Sequence, residues 1–159
     1  MKIKLAQHLV KELPGKPAQK IMLTKPRNPI NYSSNSECPN PAAVLILLFP
    51  VKQDIWFFLT KRTNVVQHHK GQISLPGGAW EEGEQLWETA LRETNEEIGV
   101  RAERIQFMGA LTPLFVPVTG FLIHPFVGWV DDKPETYPDP TEVESLFAVS
   151  VSALMDQNS

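Results

Sequence analysis

The chain has 159 residues, 42% hydrophobic and 21% charged, with a net charge of −3, which suits one soluble globular core and is short for two domains. The slight acidity gives no electrostatic case for a nucleic acid partner, and the single cysteine, Cys38, excludes an internal disulfide and suits a reducing compartment. No run reaches the roughly 18 apolar residues of a membrane span, and the N-terminus lacks a signal region, so the cytoplasm is the expected location, without a membrane partner.

From Ile3 to Leu13 apolar residues recur at helical spacing until Pro14-Gly15, which predicts a short helix at the edge of the domain. Proline, asparagine and serine then dominate to Pro41, so residues 1–41 are expected to be a helix and an extended arm, followed by a domain over 42–159. Ala42 to Phe49 is an unbroken apolar run and reads as a central strand buried on both faces. Asp54 to Arg62 follows across a short link and completes a hairpin, and Gln72 to Leu75 is a short strand running into Pro76-Gly77-Gly78. From about Glu84 to Ile98 nothing interrupts a helix, and Gly99 stands where a left-handed cap is needed. Ile105 to Leu111 and Phe121 to Val130 read as strands, Pro125 marking the second as an edge or bulged strand. Glu142 to Ser150 alternates weakly, and Val151 to Met155 begins a helix.

The long helix carries the chemistry. At 100° per residue Trp87, Ala90, Leu91, Thr94 and Ile98 form one apolar face, and Glu93, Glu96 and Glu97 a strip beside it. Carboxylates so spaced repel one another, and their place near the helix C-terminus adds an unfavourable dipole term. A solvated acidic face is the plain alternative. Hard oxygen ligands on one strip are also well matched to Mg²⁺ or Mn²⁺, which would cancel the repulsion and bridge to phosphates.

The spacing separates the two. Gly78, five residues, Glu84, seven residues, then Arg92-Glu93-x-x-Glu96-Glu97-x-Gly99-Val100 resembles the full Nudix box, with Thr94 in place of the usual bulky aliphatic. The chain is similar to the Nudix hydrolases. The resemblance implies an α/β fold, an α/β/α sandwich with a mixed sheet and the loop-helix-loop of the box, that cleaves diphosphates with a divalent metal. Family members close the second sheet face with a helix near the C-terminus, whereas here only Asp156-Gln157-Asn158-Ser159 follow Met155. Either that layer is cut short, or the N-terminal helix or a partner chain, as in a homodimer, covers the face.

Upstream, Leu59-Thr60-Lys61-Arg62-Thr63 through His69-Lys70-Gly71-Gln72 to Leu75-Pro76-Gly77-Gly78 is more basic than a diphosphate hydrolase requires. It resembles the second signature of the coenzyme A diphosphatase branch, with Leu75 for the usual Phe and Gln67 where a basic residue is common. Similarity to this branch runs from about Ala42 to Asp156 and implies hydrolysis of coenzyme A or its thioesters to 3′,5′-ADP and a 4′-phosphopantetheine compound. A Nudix hydrolase of another nucleoside diphosphate derivative, such as ADP-ribose or a dinucleotide, is the alternative, and a non-catalytic binding module a more remote one.

The metal ligands implied are Glu93 and Glu97, then Glu96, with the Gly77 carbonyl a further one. Glu93, Glu96, Glu97 and Arg92 form the catalytic set, with Arg92 expected to hold an acid in place. Glu93, or a later acid such as Glu142 or Glu144, is the general base. Arg62, Lys61, His69, Lys70, Gln72 and Gly78 are the substrate contacts, with the basic segment expected to read the 3′-phosphate of coenzyme A. Glu84 is expected to be structural, and His68 to make loop or phosphate contacts.

Overall fold

The computed structural model describes residues 2–22, 39–63 and 71–155. Cys38, Gln67, His68, His69 and Lys70, with the loop-like run at 31–36, lie outside the described residues.

Apolar strands and one amphipathic helix build two clusters on opposite faces of a mixed sheet. Strands β1 (Asn40–Val51), β2 (Asp54–Arg62), β3 (Ile73–Ser74), β4 (Gly77–Ala79), β5 (Gln106–Ala110), β6 (Leu114–Val116), β7 (Phe121–Trp129) and β8 (Val143–Ser150) join in the order β3-β2-β1-β7-β5. Strand β4 adds to β1, β6 to β7 and β8 to β2. The β1–β7 ladder is parallel, from Asn40↔Phe121 to Leu48↔Trp129, and the other pairs are antiparallel.

Strand β1 is the axis of the core. Its alternate residues Ala43, Leu45, Leu47 and Phe49 are fully buried and meet Phe58, Ala90, Ile98 and Val130 beneath helix α3 (Leu86–Ile98). Trp87 and Leu91 pack at the margin of the same cluster, so the face predicted from the helical wheel is the face buried. Leu48, Phe57, Val127 and Trp129 form the second cluster on the opposite face.

Helix α1 (Lys2–Leu9) lays Leu5 and Leu9 against that second cluster, and Val151 joins from α4 (Val151–Met155). Lys2 fastens the start of α1 to Asp131 at 2.8 Å. A Cβ on Gly109 of β5 would crowd Leu9, so the bare backbone there lets the helix approach closely. The N-terminal helix thus lies on the second face together with the start of α4, which gives the sheet a helix on each side. The arm expected from Pro14 begins instead as a helix, α2 (Gly15–Met22), with Gln19 donating to the Thr112 carbonyl at 3.0 Å. Pro17 falls in the first turn of this helix, where its missing N–H costs nothing.

Pro125 also falls differently from expectation. Strand β7 is interior, not an edge. Its antiparallel partner is split, β6 facing Phe121–Ile123 and β5 facing Phe126–Trp129, so Pro125 sits at the break between the two ladders.

Candidate active site

Helix α3 starts two residues after Glu84. The Glu88 carboxylate accepts the Gln85 N–H at 2.7 Å, and Gly99 closes the far end at φ +75°, donating to the Asn95 carbonyl at 2.8 Å. Beyond the cap the chain folds back along the helix end. Tyr137 and Asp139 donate their N–H groups to the Ile98 and Glu97 carbonyls at 2.8 and 3.0 Å, supplying partners to the carbonyls a helix leaves open. Thr63 pins the same segment, its hydroxyl donating to the Thr141 carbonyl and its N–H to that of Glu142, both at 2.9 Å.

Two glycines let the sheet approach the acids. Gly77 has φ +153°, and a Cβ there would strike the backbone of Ala43 and Val44 in β1. Its N–H donates to Glu97 Oε2 at 3.3 Å. A Cβ on Gly78 would overlap the carboxylate of Glu93. The Pro-Gly-Gly turn thus brings bare backbone directly against the acidic strip.

Glu97 is only 3% exposed. Burial pushes its carboxyl up to about 7, with Glu93 and Glu142 adding to the rise and Arg62 and the Gly77 N–H opposing it. Arg62 Nη2 lies 3.5 Å from Glu97 Oε1. Glu93 is likewise raised, chiefly by burial, against the pull of Arg92. Glu96 stands on the rim, half exposed, 3.3 Å from Arg92.

Arg92 is the hub of the acid cluster. Its Nε and Nη2 donate to the two oxygens of Glu84 at 3.1 and 2.9 Å, its Nη1 to Glu93 at 2.7 Å and to Glu96, and Nη2 also to the Ala79 carbonyl at 3.1 Å. Glu84 in turn accepts the Thr89 hydroxyl and the Glu81 N–H, both at 2.8 Å, and the Arg92 guanidinium holds its carboxyl down to about 2. Glu84 is therefore structural through a two-point grip on Arg92, more than through the helix dipole. A wheel hides this, because Glu84 precedes the helix and reaches back to it.

The remaining expected residues divide. Arg62, Gln72, Gly77 and Gly78 line a cleft of about 430 Å³ whose other walls are Ala42, Val44, Leu75, Val116, Phe121 and Ile123. Lys61 is not brought there. It pairs with Glu144 at 2.8 Å, which also commits one of the two later acids. Glu142 is exposed, and its charge reaches both Glu93 and Glu97. The placing of Glu142 by Thr63 was not legible from either residue alone.

Among the described residues, no three histidine, cysteine, aspartate or glutamate side chains converge closely enough to hold a metal ion. The donor set nonetheless fits a hard divalent cation. Mg²⁺ is commonly held by one or two carboxylates, with water and substrate phosphate completing the octahedron. Glu97 and Glu93 would supply those carboxylates from a partly dehydrated position, with the backbone of Gly77 against the first and of Gly78 against the second.

A family model described as NUDIX domain matches residues 39–159. "Nudix hydrolase 3" of Caenorhabditis elegans is 34% identical over 125 residues, covering 77% of this chain and 52% of that protein. "Uncharacterized Nudix hydrolase NudL" of Photorhabdus laumondii is 30% identical over 141 residues, covering 88% of this chain and 73% of that protein. The chain spans about half the length of the first curated relatives it matches. Among solved structures, the C. elegans Ap4A hydrolase binary complex has a TM-score of 0.63 at 18% identity, covering 73% of this chain and 83% of that one. At that identity the likeness is one of fold.

Proposed function

The chain belongs to the Nudix family, and from that premise we propose that it hydrolyses a diphosphate linkage in a nucleoside diphosphate derivative, with coenzyme A or its thioesters as the substrate. The observation that carries the reading is the placement of the buried Glu97 and the partly buried Glu93 against the Gly77–Gly78 turn, at the edge of a cleft walled by Arg62. The coenzyme A assignment rests on the resemblance of the Leu59–Gly78 segment, and the mostly apolar walls of the cleft suit the pantetheine arm.

In this reading Glu97 and Glu93 hold a divalent metal, Mg²⁺ or Mn²⁺, with Glu96 at the rim and the Gly77 carbonyl as a further ligand. That ion supplies charge neutralisation at the diphosphate and lowers the pKa of water. The protein's own task is positioning. Arg92 fixes Glu93, Gly77 and Gly78 allow the phosphates to come close, and Arg62 offers a guanidinium to their oxygens. Glu142, tied by Thr63 to the helix end, is the general base. Glu144 is set aside by its pairing with Lys61.

Two experiments check this. Mass spectrometry of products from coenzyme A, acetyl-coenzyme A, ADP-ribose and diadenosine tetraphosphate, with Mg²⁺ or Mn²⁺, should show 3′,5′-ADP formed fastest from the first two. Faster cleavage of ADP-ribose or the dinucleotide would replace coenzyme A by the other nucleotide class. Glu142→Gln should lower kcat by about 10²- to 10⁴-fold, the usual range for a general base, while Glu144→Gln stays near the wild-type rate. Equal rates in the two variants would remove Glu142 from that role.

A further inference from the structure

We propose that Arg62 competes with the divalent metal for Glu97, and that on losing this contest it turns to the substrate diphosphate, so that metal and substrate binding are linked through one side chain. This rests on the diphosphatase reading above.

The two arginines of the site are held very differently. Arg92 is locked, with bonds of 2.7 to 3.1 Å to two carboxylates and a carbonyl. Among the described residues Arg62 makes one ion pair, at 3.5 Å, well beyond the 2.7–2.9 Å of a firm charge-assisted bond. Its backbone is secured, the N–H donating to the Gln72 carbonyl at 3.0 Å beside an irregularity in the β2–β8 register. The root of Arg62 is therefore fixed and its guanidinium is loosely engaged.

Glu97 needs a cation. Its side chain is 3% exposed, with Oε2 on the Gly77 N–H and Oε1 toward Arg62. A carboxylate in such a place is costly without a positive partner. A divalent ion at Glu97 would replace the guanidinium as that partner and repel it from close range. The cleft lies immediately beside it: among the described residues lining the cleft, Arg62 is the one cation. A displaced guanidinium then faces the space where a diphosphate would lie. Because Arg62 adjoins Glu97, it is placed for the diphosphate common to all candidate substrates, not for the 3′-phosphate that distinguishes coenzyme A.

Linkage makes this measurable without turnover. If the metal frees Arg62 for phosphate, it strengthens phosphate binding, and phosphate strengthens metal binding by the same factor. Mn²⁺ binding to wild type and to Arg62→Gln would be followed by electron paramagnetic resonance, with and without α,β-methylene-ADP. Both proteins would be compared at one pH of about 8.5, well to the alkaline side of the ordinary carboxylate range. Arg62→Gln should bind Mn²⁺ about fivefold or more tightly, bind the analogue more weakly, and lose most of the mutual enhancement. Thermal melts give an independent reading. The variant should melt below wild type without metal, and saturating Mn²⁺ should close the gap. Arg62→Ala repeats the test should the glutamine pair with Glu97.

Unchanged or weaker Mn²⁺ binding in both variants, with wild type active on a diphosphate, overturns the competition and leaves the functional reading in place. Failure of wild type to bind Mn²⁺ and to cleave any diphosphate overturns both.

Discussion

Glu97→Gln is expected to lower turnover by several orders of magnitude and, in the same protein, to raise the stability of the metal-free fold. The neutral amide keeps the shape of the side chain but is a poor ligand for a hard divalent ion, so the step that depends on that ion fails. Stability moves the other way because the carboxylate is where folding least favours it, 3% exposed and at the negative end of α3. The sign follows from its protonation. Folding raises this carboxyl from an ordinary value of 4.5 to about 7. Below about 4.5 it is neutral in both states and adds no penalty. As the pH rises toward 7 the unfolded chain ionises first, and the folded state loses ground until both are charged. The variant should therefore melt level with wild type near pH 4 and above it near pH 8. The gain is on the order of 1–3 kcal/mol, part of it offset by the ion pair with Arg62 that is lost. A variant of near wild-type rate at saturating Mg²⁺ would place the metal elsewhere.

Arg92→Ala should reduce both activity and stability, and this contrast separates a ligand from its holder. Arg92 is one-quarter exposed and bonds Glu84 and Glu93, which are 16% and 15% exposed at their side chains. Removing it leaves two partly buried carboxylates without the guanidinium they share and frees Glu93 from its charge-assisted bond. Breaking a buried pair costs about 3–5 kcal/mol, and partial exposure brings the expectation here to about 2–4. Arg92→Lys should recover part of the stability and less of the rate, since one ammonium cannot reproduce the planar fork that grips Glu84 while reaching Glu93. A melting temperature within a degree of wild type for Arg92→Ala would show that the acids rearrange freely, and that their order does not depend on this residue.

Much of this site was legible before any coordinate, for a specific reason. A helix packed on a sheet imposes 3.6-residue periodicity, a glycine at close approach and a capping glycine, and each is a choice of residue type at a fixed interval. Trp87, Ala90, Leu91, Thr94 and Ile98 were found on the buried side, and Gly99 at its cap, by spacing alone. What escaped was set by partners distant in the chain. Lys61 and Arg62 are adjacent and alike in charge, yet one meets Glu144 and the other Glu97. No local pattern distinguishes them; the strand's alternation and the fold of the 137–144 segment do. The helix at Gly15–Met22 was missed because the Pro-, Asn- and Ser-rich composition of residues 14–41 was read as one stretch, although Pro17 falls in a first turn, where it is tolerated. Pro125 misled too, since a gap between two short partner strands cannot be read from the strand that spans it.

The parallel ladder between β1 and β7 has a consequence for how the protein comes into being. Asn40 pairs with Phe121 and Leu48 with Trp129, so the whole Pro-Gly-Gly turn and acidic helix lie inside the loop that this pairing closes. Parallel contacts between distant segments must meet the entropy of loop closure before they return any stabilisation, and they tend to form late. A chain leaving the ribosome with β7 still to come already holds the β1 and β2 residues on which Ala90 and Ile98 rest, but lacks Phe126 and Val130 from the same cluster. The β1–β7 pairing therefore closes around a turn and an acidic helix that have both been synthesised before it, and it completes the core beneath them.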